Sequence, residues 1–268
     1  MVRILTGIWS ERAAVNEVRP AAHPRPPPVA HHRSVALMLP LRLVGFAAFQ
    51  GVIAVTLLFS GRGDAWDASV AWWPIAAVLT NLVTLALLIR LLRREGQRWW
   101  DLFRVDTAHV GRDAVTVLGL AVVSVVLILV PNFGLARLLF GDAEAPLATI
   151  IQPLPLWAAL AALVLFPTTI ALAELATYFG YVQPRLEVVT GRAWVAVALA
   201  AGFLSLQHAT LPLVFEWRFV VWRSLMFAPF ALLLAVVLRW RPRLLPYLAV
   251  LHGLADLQVA IMLVAASS

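Results

Sequence analysis

The sequence predicts an all-α fold: a polytopic transmembrane helix bundle of about seven spans. Three observations carry this: an apolar excess, apolar runs of membrane-crossing length, and an arginine asymmetry between alternate loops. Of the 268 residues, 62% are apolar and 13% charged, and the mean hydropathy is +0.88. Soluble domains carry about 25% charged residues. No soluble core of this length absorbs so much apolar sequence, so the excess must face lipid. The absence of Cys removes disulfides and thiolate metal sites.

Residues 1–34 are polar and rich in Pro, Arg and His, as in HPRPPPVAHHR. Proline blocks helix and the segment has little to bury, so it reads as a disordered cytoplasmic tail. It carries no apolar run of the secretory type. The spans follow at roughly Leu43–Ser60, Ser69–Leu92, Ala114–Val130, Leu156–Val182, Ala193–Leu211, Val220–Leu238 and Leu244–Val264. Each approaches the ~20 residues needed to cross the hydrocarbon layer. The runs are continuous rather than alternating, which favours helices over a barrel wall. The chain thus divides into the tail, a first group of three spans with an interfacial segment (35–140), and a last group of four (141–268).

One set of loops holds Arg90, Arg93, Arg94, Arg98, Arg104 and Arg112, then Arg185 and Arg192, then Arg239, Arg241 and Arg243. The opposite set is poorer in Arg. The positive-inside rule places the first set, with the N-terminus, in the cytoplasm and the C-terminus outside the cell membrane. A net charge of +7 is thereby explained by topology, and no basic–aromatic groove for nucleic acid is present. Trp72, Trp73, Trp157, Trp194 and Trp240 sit at span ends, where an amphipathic ring is favoured. The stretch QRWWDLFRVD reads as an interfacial helix anchored on the membrane surface.

Away from the span ends, four ionisable residues remain: Glu174, His208, His252 and Asp256. Each is costly in hydrocarbon and is expected to face the protein interior or a wet cavity. His252 and Asp256, four apart, share a helix face. By helix rise Glu174 lies about 16 Å from Arg185, and His208 lies deeper, about 24 Å from Arg192, unless its helix starts late or tilts. Two carboxylates and two imidazoles can activate a water, bind Zn²⁺ through Glu174, His208 and His252, or relay protons in a transporter. Gln207 reads as an interhelical hydrogen-bonding group, and Tyr178 and Tyr181 as hydrogen-bonding groups in the same cavity. Pro167 and Pro229 are expected to kink their helices, and Gly180 and Gly202 to permit close helix approach. Glu216, Arg218 and Arg223 are placed near the outer surface as mutual partners.

The segments AELATYFGYVQPRLE, FLSLQHA and LHGLADL resemble, in order and spacing, the three motifs of the CPBP intramembrane proteases, relatives of the Rce1-type CAAX prenyl proteases. Those motifs are EExxxR followed by Gly, an aromatic residue with His four later, and HxxxN or HxxxD. The resemblance covers roughly residues 150–260. It implies that Glu174 activates water, that His208 assists, and that His252 and Asp256 stabilise the oxyanion. It further implies a membrane-associated protein or peptide substrate. The family is often described as metalloprotease, but a glutamate mechanism requires no metal.

Three positions depart from the family pattern. Leu175 stands at the second Glu, Phe179 at the Arg, and Leu204 at the aromatic residue before His208. Leu175 and Phe179, four apart, look like an ion pair replaced by an apolar pair, a concerted change that spares the fold. Ionised Asp256 cannot donate to an oxyanion as Asn does, so it would act protonated or by orienting His252. The departures leave a rival: a non-catalytic membrane scaffold or bacteriocin-immunity-type factor. A transporter ranks below both, because no inverted repeat is evident.

Overall fold

The computed structural model describes residues 32–268; residues 1–31, most of the expected tail, lie outside it. Its α-helices in chain order are α1 (His32–Met38), α2 (Leu41–Phe59), α3 (Ala65–Val70), α4 (Trp73–Arg94), α5 (Val110–Phe140), α6 (Leu147–Ile150), α7 (Leu156–Leu175), α8 (Gln183–Thr190), α9 (Ala193–Leu206), α10 (Trp217–Leu225), α11 (Ala228–Trp240) and α12 (Leu245–Ser267). Residues 32–34, expected in the tail, already belong to α1.

Six segments are long and apolar enough to cross a membrane: α2, α4, α5, the continuous helix Leu156–Thr190, the pair α10–α11, and α12 with its preceding turn. In place of the remaining expected span, Ala193–Leu211, stands a shorter helix, Ala193–Ala209, at the lower end of the ~17–25 residues that suffice. The protein is therefore a multi-pass helical membrane bundle in contact with lipid. Pro229 lies in the first turn of α11, so it opens that helix rather than kinking it, as a missing N–H is harmless there. Pro167 lies inside α7. Trp157, Trp194 and Trp240 are exposed, whereas Trp73 is buried and donates its indole N–H to the Ile150 carbonyl at 2.9 Å.

The bundle centres on α7, which packs against α12 and α4. At Gly253 of α12, a Cβ would sit 2.9 Å from the Ala171 Cβ and 3.0 Å from the Pro167 carbonyl oxygen. The helix crossing is that close. Gly202 meets nothing within 4 Å, so it does not mediate the helix approach expected of it; Gly180 packs under the Leu102 and Leu245 side chains.

The Arg-rich loops gather on one face. Glu95 at the end of α4 pairs with Arg185, Glu187 of α8 pairs with Arg239, and Asp113 of α5 pairs with Arg243. Loops separated by up to 130 residues thus lock the same end of the bundle.

Between α9 and α10 the chain leaves regular helix, and Thr210 and Leu213 form an isolated antiparallel bridge. Irregular backbone within a bilayer is tolerated only where protein satisfies it. Buried Gln50 of α2 does so: its Oε1 accepts from the Leu213 N–H at 2.7 Å and its Nε2 donates to the Leu213 carbonyl at 2.9 Å. Thr210 Oγ1 donates to the Leu43 carbonyl, and Arg223 to the Leu211 carbonyl. Arg223 is buried and caps this loop; it does not pair with Glu216, whose carboxylate instead accepts from the Phe219 amide.

Candidate functional site

Glu174 lies one residue from the end of α7, where the chain widens into a π-helical segment, Ala176–Val182. Such bulges are rare in helices and frequent at functional sites. The side chain is 1% exposed. A carboxylate sealed this way needs partners on both oxygens.

Oε2 is clamped. It accepts from Arg42 Nη2 at 2.8 Å and from Gln207 Nε2 at 2.7 Å. Arg42, at the start of α2, is 0% exposed and spends its remaining donors within the same network. Its Nε donates to Gln207 Oε1 at 2.8 Å and its Nη1 to Asn81 Oδ1 of α4. Asn81 donates onward to Thr169 Oγ1 at 3.0 Å, and the Tyr178 hydroxyl donates to Gln207 Oε1 at 3.1 Å. Five elements therefore contribute to one closed polar knot, in which a fully buried guanidinium faces a fully buried carboxylate.

Oε1 faces the other way. It lies 2.8 Å from His252 Nε2 of α12, which is also 3.5 Å from Asp256 Oδ2. These contacts are close but not aligned as hydrogen bonds, and Glu174 Oε1, His252 Nε2 and Asp256 Oδ2 have no other aligned partner among the described residues. His252 is 14% and Asp256 20% exposed, so the buried carboxylate reaches the molecular surface through this pair.

His208 sits in the short 3-10 turn that ends α9. Its Nδ1 lies 2.9 Å from the Leu204 carbonyl; a carbonyl only accepts, so Nδ1 carries the proton and Nε2 is left as the free position. The ring lies 4.2 Å from that of Phe227, while His252 stacks on Phe230 at 6.4 Å. The first turn of α11 thus stands beside both imidazoles. His208 is within electrostatic reach of Glu174 and His252 but touches neither. α9 begins at Ala193, so the helix that carries His208 does not start late.

Of the four residues singled out by sequence, Glu174, His252 and Asp256 form one contact chain, and His208 is adjacent. Gln207 makes the interhelical bonds expected of it. Tyr178 joins the knot, but Tyr181 does not: its hydroxyl donates to Glu95, away from the site. Leu175 and Phe179 both enter one apolar cluster. Arg42 and Asn81 escaped sequence reasoning. Arg42 adjoins the polar tail, where an Arg reads as a topology signal, yet it lies in the first turn of α2 and turns inward. The last four spans accordingly do not form a self-contained site, since α2 and α4 supply its cation and an amide.

Arg42 and Gln207 occupy one oxygen of Glu174, and among the described residues no three His, Asp or Glu side chains are arranged to hold a metal. A guanidinium 2.8 Å from the central carboxylate already supplies the positive charge a divalent ion would bring.

No family model, curated protein or solved structure matches the chain.

Proposed function

We propose that the chain is an intramembrane endopeptidase of the CPBP type, hydrolysing a peptide bond at membrane depth with a water activated by Glu174. The observation that carries this reading is the asymmetry of the Glu174 carboxylate. One oxygen is held by Arg42 and Gln207, and the other is presented to His252 and, through it, to the partly exposed Asp256. A general base needs this arrangement: a fixed carboxylate with one oxygen directed at the reacting group.

In the proposed reaction a water beside Oε1 gives a proton to Glu174 as its oxygen attacks the scissile carbonyl carbon. His252, oriented by Asp256, stabilises the oxyanion. Collapse of the tetrahedral intermediate breaks the C–N bond, and the proton held by Glu174 passes to the leaving amine. His208, with Nε2 free, assists the water. No step runs through a metal. The substrate is a membrane-associated protein or peptide. The arginine-rich face is cytoplasmic and the C-terminus lies outside, as the positive-inside rule directs.

One observation favours a second reading. The Arg42–Gln207 clamp, with Leu175 and Phe179 packed into apolar core, also suits a catalytically silent scaffold whose polar knot only holds helices together.

Cleavage of a library of membrane-anchored peptides by purified protein in nanodiscs separates the two. Cleavage that disappears in both Glu174→Gln and His252→Gln, with unchanged elution and helicity, supports the protease. Unchanged cleavage in either variant discards the mechanism, and no cleavage by the wild type favours the scaffold.

A further inference from the structure

A second feature, a largely apolar groove, lies outside this site, where the end of α4 meets the 3-10 turn Trp99–Phe103 and the flank of α7. The groove, of about 480 Å³, is lined there by Leu85, Ile89, Leu172, Arg93, Arg98, Trp99 and Trp100. That volume falls in the range of small-ligand cavities, about 300–1,000 Å³. Its walls divide by chemistry. Leu85, Ile89 and Leu172 supply an apolar trough between α4 and α7. Arg93 and Arg98 also line it, their side chains are exposed, and among the described residues neither is ion-paired to a carboxylate. The nearby acids are committed: Glu95 binds Arg185, while Asp101 accepts from the Arg98 backbone amide and pairs with Arg104.

Trp99 is 6% exposed. It lines the groove, and its indole N–H is buried with no acceptor among the described residues. The N–H is sealed within the wall, so Trp99 shapes the groove by packing rather than by a bond to its occupant. Two arginines without an ion pair suit an anion with several acceptor oxygens, and the apolar trough suits a chain attached to it.

We propose that this groove binds one anionic phospholipid, with its phosphate held by Arg93 and Arg98 and the start of an acyl chain lying along Leu85, Ile89 and Leu172. Arginine suits phosphate because its planar fork donates two bonds at once. The chain's own segment 1–31 is the wrong occupant by charge, since it carries Arg3, Arg12, Arg19 and Arg25 against Glu11 and Glu17. The other prominent groove, lined by Trp194, Trp240 and Arg239, lacks the free cation, because Arg239 gives both its bonds to Glu187.

This proposal is independent of peptidase activity. Native mass spectrometry of the full chain, released from nanodiscs of 1:1 phosphatidylglycerol and phosphatidylcholine, tests it. One phosphatidylglycerol should be retained per chain. Retention should fall roughly tenfold to thirtyfold in Arg93→Gln/Arg98→Gln, whose side chains are exposed and whose change spares the fold. Equal retention of phosphatidylcholine, or unchanged retention in the double variant, would overturn the proposal. So would displacement of the lipid by millimolar inorganic phosphate, which would make the site one for free phosphate. A second copy of the chain in place of the lipid would appear as a dimer and would likewise overturn it.

Discussion

Arg42 and Glu174, 132 residues apart, meet at 2.8 Å with 0% and 1% of their side chains exposed. The pair joins the first transmembrane helix to the centre of the bundle. Ion pairs without solvent owe little net stability to their attraction, but each half is expensive without the other.

Arg42→Met should therefore destabilise the protein by about 3–5 kcal/mol, because it strands a buried carboxylate. Arg42→Met combined with Glu174→Gln should recover most of that loss, with a coupling of up to about 3 kcal/mol in a double-mutant cycle. Thermal unfolding in detergent, followed by circular dichroism, measures both. Additive single effects would show that the two side chains do not act as a unit.

Gly253→Ala should push α12 away from α7, since the new methyl would meet the Ala171 Cβ at 2.9 Å and the Pro167 carbonyl oxygen at 3.0 Å. The expected cost is about 1–3 kcal/mol, as for overpacked cores. Gly202→Ala, with nothing within 4 Å, serves as the neutral control and should gain slightly from helix propensity. Equal melting temperatures for the two variants would contradict the close crossing.

Asp101 offers a pH readout outside the spans. The Arg98 backbone amide, with help from the Arg104 guanidinium, holds its carboxyl below the ordinary 3.8. A carboxylate depressed in the folded state contributes stability that is complete above its unfolded value and is lost as pH falls through the lower, folded value. Carboxyl-carbon NMR of the protein in micelles should give a midpoint below 3.8 for Asp101, rising towards the ordinary value in Arg104→Gln. A midpoint at or above 3.8 in the wild type would show that the turn is not capped this way.

Membrane orientation can be read with C-terminal fusions. Six helices are long enough to cross, and if the shorter Ala193–Ala209 crosses as well, the two termini are expected on opposite sides. A periplasm-active reporter on Ser268 should then be active and a cytoplasm-active one silent. The reverse pattern would make Ala193–Ala209 a re-entrant helix.

The helices were legible in the sequence because lipid demands long uninterrupted apolar runs, and that signal survives without any knowledge of packing. Glu174, His252 and Asp256 were legible for the related reason that charge is costly in oil and must be gathered. Arg42 was not, because an arginine at the edge of an apolar run looks the same whether it turns out to water or in to a carboxylate. Gly253 was equally silent, since nothing in its neighbours tells which glycine faces a crossing helix. Arg223 misled in the opposite direction: its place near Glu216 suggested a surface pair, while the need to satisfy the Leu211 carbonyl drew it inside. Long-range partners are set by three-dimensional packing, which local sequence does not encode.

Gln50 has a consequence for tolerance to change. Its amide reads the main chain of residue 213 and ignores the side chain there, so most replacements of Leu213 leave the contact untouched. Proline alone would remove half of it, taking away the N–H while leaving the carbonyl to accept from Gln50 Nε2. The helix that inserts first thus dictates the shape of a turn translated some 160 residues later while leaving its spelling almost free.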